Sequence, residues 1–126
     1  MKLGRRITLI GCIALFVTGC LHSAGYMSVL ERIQKESLAA ETSAILKICW
    51  LTYTVELLSM AVLAFVARTM SRGGVIVLLC GIAVAVNGLL MLYFMGPFIG
   101  AYMVCTDAGL LIIGGYLQLK TSPGAT

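Results

Sequence analysis

The chain has 126 residues, a net charge of +4, 60% hydrophobic residues and only 11% charged residues. A soluble domain carries roughly 25% charged residues, and a small globule needs them because most of its chain lies near the surface. The composition therefore excludes an ordinary soluble domain, a disordered chain and a nucleic-acid-binding protein, and it indicates a membrane protein.

A membrane-crossing helix needs about 20 mostly apolar residues. Four segments meet this requirement, over about residues 7–26, 44–67, 74–95 and 98–119. The remaining stretches are too short for a second domain, so the sequence predicts one membrane domain over residues 1–126. The predicted fold is all-α, an integral membrane four-helix transmembrane bundle.

Residues 27–42, between the first two spans, form the longest and most charged connection. Apolar residues recur there at near-helical spacing among the charged ones: Val29, Leu30, Ile33 and Leu38. This pattern predicts a short amphipathic helix at the outer membrane interface, or an extension of the first span. Between the last two spans, Gly96-Pro97 predicts a break in the helix, since Pro97 lacks a backbone donor.

The distribution of Lys and Arg predicts the orientation of the bundle. Six of the nine cations flank apolar segments on one side: Lys2, Arg5, Arg6, Arg68, Arg72 and Lys120. Cytoplasmic loops of membrane proteins carry an excess of Lys and Arg, so both termini are predicted to be cytoplasmic. The basic amino-terminal start suits a bacterial inner (plasma) membrane.

Residues 1–20 also have the order of a secretion signal, with a basic start, an apolar run and small residues. Val17-Thr18-Gly19-Cys20 resembles the bacterial lipobox, in which the Cys is acylated after cleavage. The resemblance implies a mature chain that begins at Cys20. The alternative is that residues 1–19 stay in place as part of the first span. Leu21 to Tyr26 favours this alternative, because it is not the polar tether that a lipoprotein usually carries.

The five cysteines stand singly, with no CxxC and no metal-ligand spacing. Most of them lie inside apolar runs, where cysteine behaves as a small hydrophobic residue. Cys20 and Cys49 both fall near the predicted outer surface, so the sequence leaves a disulfide between these two residues open.

Each predicted span carries one strongly polar residue in its central or outer part: His22, Glu56, Asn87 and Asp107. An acidic residue at a span centre costs about 2.5 to 3.5 kcal/mol on insertion scales and usually faces the bundle interior. Together with Tyr53, these residues form a candidate ligand or proton site. The alternative is structural, in which they hydrogen-bond one another and hold the helices in register. A single His is a thin basis for a metal site, and no cofactor is predicted.

Counting at 100° per residue predicts which faces meet. One face of the second span is more polar than the opposite face: Cys49, Thr52, Tyr53, Glu56, Ser59 and Met60. We expect this face to turn toward the interior and to meet the polar residues of the other spans. Small residues align on the other three spans and predict close approach of the helix backbones.

Three functions remain open. The first is a non-enzymatic structural or accessory membrane protein, whose partners are the lipid bilayer and either a second copy or another membrane protein. The second is a proton-coupled small-solute transporter or ligand-binding bundle that uses Glu56 and Asp107. The third is a membrane enzyme acting on a lipid or a quinone with His22 as acid or base. The sequence favours them in this order, because it contains no catalytic constellation.

Overall fold

The structure, a computed structural model, describes residues 3–121, and these fold into five helices without a strand. The helices are α1 (Leu3–Ala24), α2 (Tyr26–Lys35), α3 (Ala40–Ala67), α4 (Gly73–Met95) and α5 (Ile99–Lys120). Four helical segments are long and apolar enough to cross a membrane, namely α1 continued by α2, then α3, α4 and α5. The predicted all-α fold with four membrane-length helices is thereby confirmed.

The four long helices form a ring in chain order, in which α1 packs on α3 and α5, and α4 packs on the same two helices. Consecutive long helices run antiparallel, as in an up-down-up-down bundle. The contact between α4 and α5 is the most extensive, and the contact between α3 and α4 is the least extensive. We call the end of the ring where α1 and α4 begin the basic end, and the opposite end the α2 end.

Glycines set the distance between α4 and α5. Gly74, Gly81 and Gly88 recur at intervals of seven residues on the buried face of α4. A Cβ atom at Gly81 would lie 2.8 Å from the backbone nitrogen of Ile112, and one at Gly115 would lie 2.7 Å from the backbone nitrogen of Leu78. The two backbones therefore approach as closely as they do because these positions lack a side chain.

The centre of the bundle is filled with apolar side chains. Leu15 on α1, Leu57 on α3, Val84 on α4 and Leu111 on α5 are each at most 1% exposed. They belong to one continuous cluster that all four long helices share. Because the centre is apolar, polar side chains can pair only around it, between neighbouring helices.

The connection after α1 follows the second predicted alternative, an extension of the first span. Gly25 has helical dihedral angles, its N–H donates to the carbonyl of Leu21, and its own carbonyl accepts from Val29. As a result α2 extends α1, and it is amphipathic, with Ile33 buried while most of its neighbours are exposed. The chain then reverses in a turn where Ser37 has a φ of 48°, and α3 begins at Ala40, before the predicted boundary.

Residues 3–19, ahead of Cys20, belong to the packed bundle. Thr8, Leu15 and Thr18 on α1 are buried against the other helices. Cleavage at the lipobox-like sequence would cut α1 between Gly19 and Cys20 and remove these side chains from the bundle. The packing therefore favours the interpretation of residues 1–19 as part of the first span.

We predict that Gly115→Ala destabilises the bundle by about 1 to 3 kcal/mol, because the new methyl group collides with backbone of α4. Gly109→Ala is the matched control on the same helix, since a Cβ there has no atom within 4 Å. Reversible unfolding in mixed detergent micelles measures both. Equal stability of the two variants would contradict the close backbone packing of α4 and α5.

Candidate functional site

Asp107 is more deeply buried than Glu56. Its residue surface is 4% exposed, and the Thr18 hydroxyl donates a hydrogen bond of 2.7 Å to its Oδ2 atom. This bond joins α5 to α1. The predicted interior position of Asp107 agrees with the structure, although its partner is a hydroxyl group that the sequence analysis had not paired with it.

Glu56 lies between α3 and α4 and is half-buried. The side-chain amide of Asn87 donates a hydrogen bond of 2.6 Å to Glu56 Oε1. The pairing of these two residues is one of the hydrogen bonds that the structural alternative anticipated. The hydrogen bond between Asn87 and Glu56 joins α3 and α4, which have the least extensive contact of the ring and few other interactions.

Tyr53 adds a second side-chain bond between α3 and α4. Its hydroxyl donates to the sulfur atom of Met91 at 3.2 Å. Gly88, beside Asn87, packs against Cys105 of α5, which places Asp107 at a similar level of the bundle. The structure brings Tyr53, Glu56, Asn87 and Asp107 into one region of the bundle.

His22 is held in a separate cluster toward the α2 end. Its ring stacks on Trp50 with centroids 4.0 Å apart, and its Nδ1 atom lies 2.8 Å from the Thr54 hydroxyl oxygen. The Thr54 hydroxyl oxygen also lies 3.0 Å from the Trp50 carbonyl oxygen, and when the hydroxyl donates to that carbonyl, His22 Nδ1–H is the donor to Thr54. The edge of Tyr53 faces the same imidazole at 5.0 Å. His22 therefore contacts the acidic region through Tyr53.

A further polar pair at the basic end was missed by the sequence analysis. The side-chain amide of Gln118 donates a hydrogen bond of 2.7 Å to the Thr8 hydroxyl, and both residues are buried. Thr8 stands between the small residues Gly4 and Gly11 on the face that α1 turns toward α5. This alternation of a hydroxyl with glycines was the available signal for a polar contact there.

The expected orientation of the polar face of α3 was wrong in part. Tyr53, Glu56 and Met60 are half-buried, but other members of that face are exposed on the outside of the bundle: Cys49, Thr52 and Ser59. The buried face of α3 carries Thr54, Leu57 and Ala61 instead. Packing against α1 requires the small and apolar side of α3, because Gly19 of α1 lies against Leu57 and Leu58.

The structure adds no metal site or disulfide to these pairs. Within residues 3–121, no three His, Cys, Asp or Glu residues are grouped to hold a metal ion. Cys20 and Cys49 are free thiols. Gly25 packs against Trp50 and Gly19 against Leu57, so Cys20 and Cys49 are offset by about 10 Å along the antiparallel pair. A disulfide needs Cα atoms within about 7 Å, so these two residues are not placed to form one.

A cavity of about 200 Å³ lies between α1 and α3, away from the polar pairs. Its lining is apolar and consists of Cys12, Ile13, Phe16, Val17, Ala61, Val62 and Phe65. Several of these side chains are among the exposed apolar residues of the outer surface. The cavity is therefore suited to a hydrocarbon chain, and neither Glu56 nor Asp107 lines it.

Comparison of the chain with protein-family models, with curated proteins and with solved structures finds no match. The functional interpretation therefore rests on the geometry of the polar pairs and on the surface of the bundle.

We predict that Thr18→Val destabilises the protein, because it leaves the buried Asp107 without its hydroxyl partner. Interhelical hydrogen bonds of this kind contribute about 0.6 kcal/mol on average and up to about 1.7 kcal/mol. Thr106→Val is the control, since Thr106 is exposed and its hydroxyl bonds the Tyr102 carbonyl of its own helix. A double-mutant cycle with Asp107→Ala, which removes the acceptor oxygen, measures the coupling, and zero coupling between positions 18 and 107 would refute the bond.

Proposed function

We propose that this chain is a non-enzymatic integral membrane protein that associates with a second copy or with another membrane protein. The observation that carries this proposal is the pairing of the membrane-embedded acids. Asp107 is bonded to Thr18 and Glu56 to Asn87. Carboxyl groups that are bonded across helix pairs in a filled bundle act as links between helices.

Transport needs a site that a solute can enter and leave. The cavity between α1 and α3 is apolar and does not include either acid. Asp107 is 4% exposed and contacts the continuous core. This placement supports a structural role for the acid over a role in binding a solute.

The small extent of chain outside the long helices also supports association within the membrane. The turn between α3 and α4 spans residues 68–72, and the one between α4 and α5 spans residues 96–98. The amphipathic α2, which continues α1, extends the first membrane-length segment to Lys35. Most of the surface available to a partner is therefore the outside of the bundle.

An orientation with both termini in the cytoplasm is part of the proposal. Arg5 and Arg6 at the start of α1, Arg68 and Arg72 between α3 and α4, and Lys120 at the end of α5 all lie at the basic end. Lys2, which follows the same pattern in the sequence, is outside the described residues. A cluster of Lys and Arg at one end marks the cytoplasmic side, and we propose the bacterial inner membrane as the location.

One observation favours a second function, proton-coupled transport. Glu56 is only half-buried, and it stands at the least extensive helix contact of the ring. Separation of α3 from α4 would break two side-chain hydrogen bonds, from Asn87 to Glu56 and from Tyr53 to Met91, and would open Glu56 to the outside of the bundle. The enzymatic alternative has less support, because His22 is stacked on Trp50 and bonded to Thr54.

We predict that Glu56→Gln and Asp107→Asn fold and associate nearly as the parent chain does, because each amide keeps an acceptor oxygen for its partner. Cross-linking in native membranes measures association, and detergent unfolding measures the fold. In proteoliposomes, pH-driven currents in the parent chain that either variant abolishes would instead support transport. A phenotype confined to His22→Gln would support the enzymatic alternative.

A further inference from the structure

One face of α3 has the spacing of a helix-packing surface but points away from the bundle. Cys49, Thr52, Glu56, Ser59 and Leu63 follow one another at alternating intervals of three and four residues. These are the a and d positions of a heptad repeat, which line the contact between two supercoiled helices. All of them are exposed except Glu56, which is half-buried. We call this set the α3 stripe.

The hydroxyl groups of the α3 stripe lack the partners that other membrane-embedded hydroxyls have. Thr54 and Thr106 each donate to the backbone carbonyl four residues earlier in the chain. Within residues 3–121, the side-chain hydroxyl groups of Thr52 and Ser59 make no hydrogen bond. This is a second observation, independent of the spacing, and it marks the stripe as a surface with unmet hydrogen-bonding capacity.

The depth of the stripe in the proposed membrane makes these unpaired groups costly. A helix crosses about 30 Å of hydrocarbon with about 20 residues, so residues 48–67 of α3 fill it when α3 ends at the basic interface. Glu56 and Ser59 then lie within about 3 Å of the midplane. Polar groups at this depth normally face protein, because lipid tails offer no hydrogen bonds.

Glu56 contributes to the same surface. Asn87 occupies its Oε1 atom, and Oε2 has no hydrogen bond within the part of the chain that the structure describes. A hydroxyl group can donate as well as accept, and Glu56 Oε2 offers a further acceptor between Thr52 and Ser59. The stripe therefore presents groups that can pair with identical groups, which is the requirement for contact between two copies related by a two-fold axis.

We propose that the α3 stripe is the contact surface for a second copy of this chain, packed with the two α3 helices parallel. Both copies insert in the same orientation, so the two-fold axis runs along the membrane normal and each residue of the stripe meets its own counterpart. Serine and threonine at such contacts let the backbones approach closely and bond across the interface. This inference rests on the proposed function and names the partner and the surface.

The native cysteines offer a direct test in the full-length chain. Copper phenanthroline in native membranes oxidises two neighbouring thiols to a disulfide, removing two protons and two electrons. The parallel arrangement places Cys49 beside Cys49 of the second copy, so we expect a cross-linked dimer that Cys49→Ser abolishes. Cys20 is equally exposed but lies on α1, so Cys20→Ser should leave the dimer unchanged.

A second measurement does not depend on cysteine chemistry. Energy transfer between labelled copies in phosphatidylcholine–phosphatidylglycerol liposomes gives the dimer dissociation constant. We expect the double change Thr52→Val and Ser59→Ala to weaken dimerisation roughly tenfold, as the loss of two interhelical hydrogen bonds implies. Thr106→Val is the matched control, since its hydroxyl is bonded within its own helix, and it should leave the constant unchanged.

The outcomes separate this inference from the proposed function. Dimers that form through Cys20, or that resist the double change at positions 52 and 59, would overturn the α3 stripe while leaving self-association in place. A chain that is monomeric in liposomes but cross-links to another membrane protein would overturn the second copy as partner. A chain that neither dimerises nor cross-links to another membrane protein, and that carries pH-driven currents, would overturn the proposed function itself.

Discussion

Hydrogen bonding of the backbone within each helix is the constraint on which the rest of this architecture depends. In hydrocarbon, an unpaired N–H or C=O group costs several kcal/mol, so each crossing segment must be a continuous helix. Burial of apolar side chains contributes little to the association of these helices, because lipid tails are as apolar as leucine. The bundle must then be held by close packing at small residues and by a few polar pairs.

Close packing at small residues and polar pairing predominate at different helix contacts of the ring. Three contacts have a polar pair, with Thr18 and Asp107 between α1 and α5, His22 and Thr54 between α1 and α3, and Asn87 and Glu56 between α3 and α4. The contact between α4 and α5 is the most extensive and is built on glycines. Polar bonding is therefore most important where the backbones approach least closely, at the contact between α3 and α4. That same contact adjoins the stripe of unpaired polar groups on α3.

Hydropathy was sufficient to predict the four long helices, because lipid permits few other structures over an apolar segment of 20 residues. The residue types also predicted that Glu56, Asn87 and Asp107 would turn toward neighbouring helices. The pair of Thr8 and Gln118 was not predictable in the same way, because the glycines beside Thr8 indicate a polar contact but do not identify a partner 110 positions away. The rotation of α3 was mispredicted because apolar residues surround that helix, so counting at 100° gave the relative positions of side chains but not the direction of the core.

The most direct test of the central claim is protease digestion of tags at both termini in sealed, right-side-out membrane vesicles. Four crossings with a cytoplasmic basic end predict that both tags resist the protease until detergent opens the vesicles, and that the chain stays in the membrane pellet after alkaline extraction. Digestion of either tag in sealed vesicles, or release of the chain into the aqueous phase, would contradict the claim.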